Sequence, residues 1–174
     1  MAKIVNPHPH DYGSLVKWAV PIREAAAAVF KAWDLVKVDA NGRINKHADT
    51  VAANATNLAF VNSDSFGNQP MANKAHWPAG RGYQSERGHI VYTFGSDSVV
   101  VMSLEGNAPA NIETLIGLKR DIAYVAGAIP TVLIKSTSAN PRVQILGILE
   151  GKNNEANPTL LVRPLLDADN WFGA

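Results

Sequence analysis

Four short extended segments constrain this chain more than any other feature. They lie at residues 121–125 (DIAYV), 131–135 (TVLIK), 143–149 (VQILGIL) and 159–163 (TLLVR). Each is rich in Val, Ile, Leu, Thr or Tyr. Each is closed off by turn chemistry: Ala126-Gly127, then STSANP at 136–141, then GKNNEANP at 151–158. Regularly spaced short strands with turn signals between them predict a compact antiparallel sandwich or barrel. No catalytic motif stands beside these segments, so the expected product is a rigid β body with long polar loops.

A chain of 174 residues is most simply one domain, with room for an arm or an insertion. Apolar residues make up 47%, enough for a core. Charged residues are only 18%, below the usual quarter, which suits a surface partly covered by partners. The net charge of +1 gives no general attraction to nucleic acid or to an anionic membrane, and neither is expected as a partner. Cysteine is absent, which excludes disulfides, thiolate metal sites and cysteine nucleophiles. No apolar run approaches the ~20 residues that span a bilayer. The N-terminus lacks the apolar core of a signal peptide, so synthesis and folding in a cytoplasm are expected.

Residues 1–24 read as an extended arm. Pro7, Pro9 and Pro21 disfavour long helix or central strand, while Ile4, Val5, Leu15 and Trp18 give the segment apolar contacts. A β domain is expected from 25 to 174. Ala25 to Ala28 favours helix by propensity, but its context predicts a strand at about 25–31. Leu35 to Val38 and Ile44 flank Asp39-Ala-Asn-Gly42, a hairpin signal. Residues 57–61 read as a strand. The irregular stretch 62–88 carries Phe66, Met71, Trp77 and Tyr83, and predicts an ordered loop insertion that contacts a partner. Residues 89–94 and 98–104 flank Gly95-Ser-Asp97 and predict a second hairpin. Trp171 and Phe172 at the tail need burial. Candidate partner-binding residues are therefore Ile4, Val5, Leu15, Trp18, Trp77, Tyr83, Trp171 and Phe172. Breakers interrupt every helical-looking run, so no helix longer than about three turns is expected.

Known chemical signatures are missing. Gly80-Arg-Gly-Tyr-Gln-Ser85 fails the dinucleotide pattern at its sixth position. Asn62 to Gly67 faintly resembles a calcium loop, but Phe66 replaces an oxygen ligand. His8 and His10 form a pair without further ligands nearby, and His47 with Asp49 reads as surface polarity. Neither a catalytic site, a metal nor a cofactor is expected. Asn54-Ala-Thr56 is a sequon without a secretory context.

The run from Phe30 to Ile44 (FKAWDLVKVDANGRI) resembles the opening of tailed-bacteriophage capsid decoration, or cement, proteins. The runs at 116–125, 131–134, 142–148 and 159–163 are similar to the strand series that closes the small β domain in that family. Trp33 stands where such turns typically carry Gly, and the insertion at 62–88 is long. The resemblance implies a β-tulip-like all-β body that sits on the capsid exterior of a virion. It implies the major capsid protein as partner and a homo-oligomer, trimer favoured over dimer. A tail or neck component and a carbohydrate-binding or hydrolytic β-sandwich module are the alternatives.

Overall fold

The computed structural model describes residues 3–18, 21–25, 28–39, 41–52, 57–65, 88–126 and 131–165. Its strands are short because turn residues interrupt every apolar run before a helix can nucleate. In chain order they are β1 (His8–Pro9), β2 (Leu15–Lys17), β3 (Ile22–Arg23), β4 (Leu35–Val38), β5 (Ile44–Lys46), β6 (Leu58–Val61) and β7 (Gly88–His89). Then follow β8 (Val91–Phe94), β9 (Val100–Ser103), β10 (Lys119–Arg120), β11 (Ile122–Val125), β12 (Thr131–Ile134), β13 (Val143–Glu150) and β14 (Thr159–Pro164). No α-helix occurs among the described residues. The expected all-β antiparallel architecture is the one observed.

One five-stranded sheet has the order β1-β9-β14-β13-β10, and a second has the order β2-β8-β6-β4-β5. Two-stranded ladders β3-β7 and β11-β12 complete the body. The main core lies between the large sheets. Leu35, Leu58, Phe60 and Phe94 face Val100, Met102, Val143, Ile145, Leu160 and Val162 there. Burying one such side chain stabilises the fold by roughly 1.5–3 kcal/mol. The second sheet is buried on its other face as well. Val36, Val38, Ala59, Val61 and Val91 pack there under Ile22, Ala28 and Phe30. All four residues of β6 are therefore buried, the signature of a strand covered on both sides.

The β11–β12 hairpin links the layers at one end. Leu104 at the end of β9 bridges to Ile134, and the Tyr124 N–H donates to the Asp49 carbonyl at 2.9 Å. The Asp39–Gly42 turn behaves as expected. Asp39 Oδ1 accepts from the Asn41 and Arg43 N–H groups, and Gly42 takes a φ of 68° that glycine adopts freely.

Two expectations change, and the placing of a third segment is decided: the described residues of 1–24, read as an extended arm, supply short strands to their own body, with β1 pairing β9, β2 pairing β8 and β3 pairing β7. Pro9 fits because an edge strand does not need every donor. The β3–β7 ladder needs Gly88, since a Cβ there would meet Pro21 Cβ at 2.5 Å. The described residues of 25–31 form no strand; they are a strap whose Ala28 and Phe30 plug the second core. Finally, 89–94 and 98–104 do not pair. β8 belongs to the second sheet and β9 to the first, so Gly95 to Ser98 is a corner between layers. That corner is held by the Ser98 N–H to Gly95 O at 3.1 Å and the Ser98 hydroxyl to Ser14 O at 2.8 Å. Of the insertion expected at 62–88, residues 66–87 lie outside the described residues.

Candidate functional site

The candidate contact residues of the N-terminal segment serve its own packing. The Val5 N–H donates to Ser103 Oγ at 3.0 Å, and Ile4 and Val5 are half-buried. Leu15 belongs to the core between the sheets. Trp18 packs against the second core, and its N–H donates to Val91 O at 2.9 Å. Trp77, Tyr83, Trp171 and Phe172 lie outside the described residues.

The exposed face of β13 is the most distinctive described surface. Val143 and Ile145 point into the core, so Gln144 points out. Gln144 stands opposite both Lys119 and Arg163, and the Arg163 guanidinium donates to Gln144 Oε1 at 2.6 Å. Further along, the pairing with β14 slips twice, between Ile145 and Gly147 and again between Ile148 and Glu150. The extra residues are Leu146 and Leu149. A bulge residue drops out of the ladder and has its side chain re-aimed; here the two leucines are 40% and 49% exposed. Between them a Cβ on Gly147 would meet nothing within 4 Å, so the backbone there is open to close approach. Glu150 is exposed at the far end. Exposed Ile116 and Leu118 lie beside β13, held by Gly117 N–H to Ile145 O at 2.8 Å and Ile145 N–H to Leu118 O at 2.9 Å.

An aromatic group lies at the rim of the other layer, with Tyr12 exposed and Trp33 and Tyr92 half-buried against the main core. The Tyr12 ring stands edge-on to Trp33, centroids 4.5 Å apart, and Trp33 lies 5.3 Å from Tyr92. Trp33 has a φ of 66°, the conformation that glycine adopts without strain, and its N–H donates to Val61 O at 2.6 Å. A bulky residue is held there only by surrounding packing.

Two buried polar groups lie elsewhere in the body. His89 bridges Ser63 Oγ, 2.8 Å from Nδ1, and Glu24 Oε2, 3.0 Å from Nε2. Glu24 and His89 are fully buried, so the row pins β3 and β7 to the end of β6 rather than presenting an accessible nucleophile. His47, read from the sequence as surface polarity, is buried as well. Burial pushes its pKa down to about 4, against an opposing pull from Asp49 and with a further downward push from Lys37. His47 and Thr131 line a cavity of ≈ 10 Å³, about the room one water needs. Among the described residues no three His, Cys, Asp or Glu side chains converge as a metal site would require. No helix among them is long and apolar enough to cross a membrane.

The β13 face was missed in the sequence, although its signal was present. The run Ile145-Leu-Gly-Ile-Leu149 carries apolar residues on consecutive positions, where a half-exposed strand should alternate. No family model, curated protein or solved structure matches this chain.

Proposed function

We propose that this is a structural virion protein that binds the outer surface of an icosahedral phage shell and stabilises it by bridging neighbouring major capsid proteins. The observation that carries this reading is the presence of exposed apolar side chains on both layers of one rigid β body. Ile116, Leu118, Leu146 and Leu149 lie at the first sheet; Tyr12, Val16 and Val29 lie over the second. A bridging protein needs at least two separate contact surfaces, and linking weak contacts raises avidity by roughly a hundredfold or more. The resemblance of the runs at 30–44 and 116–163 to those of capsid decoration proteins supports the same reading, as does a low content of charged residues. The protein acts without turnover and as a homo-oligomer.

The test is binding of the purified chain to intact shells that lack it. Saturable binding is expected, together with shells that withstand higher temperature. Folded protein that fails to bind shells overturns the proposal, and binding to tails or necks instead moves it elsewhere in the virion. The Tyr12–Trp33 pair favours the carbohydrate alternative. Glycan binding without shell binding would select it.

A further inference from the structure

We infer that the exposed face of β13 is a two-fold interface with a second copy of this chain. The inference deepens the self-association already proposed and names its surface and symmetry. A two-fold contact places the same patch on both partners, so the patch must complement itself when turned end for end. This one does. Lys119 and Arg163 mark one end, opposite Gln144; Glu150 marks the other. Leu146 and Leu149 stand equally far along the chain from the point midway between Gly147 and Ile148. Turning the strand about that point brings Leu146 of one copy over Leu149 of the other. It also brings the cations beside Gln144 of one copy within one residue of Glu150 of the other, inside the reach of their long side chains.

Local chemistry agrees with this arrangement. Lys119, Arg163 and Glu150 form no ion pair among the described residues, and Arg163, which donates to Gln144 Oε1, keeps further donors for an interface. The two bulges place leucines, not polar residues, at the exposed positions where the chain departs from its ladder. Gly147 at the pivot has open space above it and lets two backbones approach. A three-fold contact would not require the patch to match itself.

Sedimentation of the full chain at micromolar concentrations should show a dimer that weakens as salt rises. Leu149→Glu should raise the dissociation constant at least about tenfold while leaving the melting curve intact, because the residue is exposed. Glu150→Lys should weaken the dimer, and adding Lys119→Glu and Arg163→Glu should restore it. The restoration is a readout that mere loss of stability cannot produce. Gly147→Cys introduces the single thiol of a cysteine-free chain, and oxidation should trap a covalent dimer and nothing larger. A trimer overturns the inference, as does a dimer indifferent to Leu149→Glu and to the charge exchange. A wild-type chain that stays monomeric overturns self-association altogether. Shell binding by the wild-type chain is measured separately, so a failure of the two-fold contact and a failure of the proposed shell binding are distinguishable.

Discussion

Single residues carry information here that neighbours in sequence do not reveal. Trp33 occupies a backbone conformation meant for glycine because its ring packs against the core, Tyr12 and Tyr92. His47 looks like a surface histidine beside an aspartate, yet it is buried with a pKa lowered to about 4 from 6.5. The unfolded chain therefore binds a proton that the folded chain rejects. Stability is full above pH 6.5, falls as pH drops from 6.5 to 4, and loses nothing further from this residue below that. The loss is on the order of 3 kcal/mol. Urea unfolding at pH 7 and pH 4 should show a smaller acid loss in His47→Leu than in the wild type. Equal losses in the two proteins would refute the assignment.

At the scale of elements, the N-terminal segment is the clearest lesson. Its prolines and scattered apolar residues read as an arm, but short edge strands tolerate both. β1 and β2 close the open edges of β9 and β8, and Leu15 fills the core. Deleting residues 2–20 should lower the melting temperature markedly, since losing the Leu15 side chain alone costs about 2–5 kcal/mol. An unchanged melting temperature would mean that these ladders contribute nothing. Strand positions from Leu58 onward were legible because β-branched and apolar runs between turn residues have few alternatives. The partner of each strand was not. Gly95-Ser-Asp97 has hairpin chemistry, yet the same turn can carry a strand into the opposite layer when each strand buries more area there.

For the whole molecule, most ladders join residues far apart in the chain. β1 pairs β9, β2 pairs β8 and β9 pairs β14. Such topologies must close long loops before contacts reward them, so refolding should take milliseconds to seconds. Stopped-flow refolding complete within microseconds would contradict this topology. The two exposed apolar surfaces lie on opposite layers of this body, so the proposed self-contact and a proposed shell contact over the second sheet do not compete.

By itself the sequence determined the class: short apolar runs, frequent turn residues and no uninterrupted helical stretch leave an antiparallel β body as the outcome. It also determined the lack of covalent staples, since there is no cysteine. Only the tertiary structure decided which strands pair, that β1, β2 and β3 belong to the body, and that His47 and Glu24 are buried. It also decided that Leu146 and Leu149 face outward. The reason is physical. Local propensity acts over a few residues, whereas burial depends on which distant strand arrives opposite. A bulge, which turns a leucine from core to solvent, exists only relative to its partner strand.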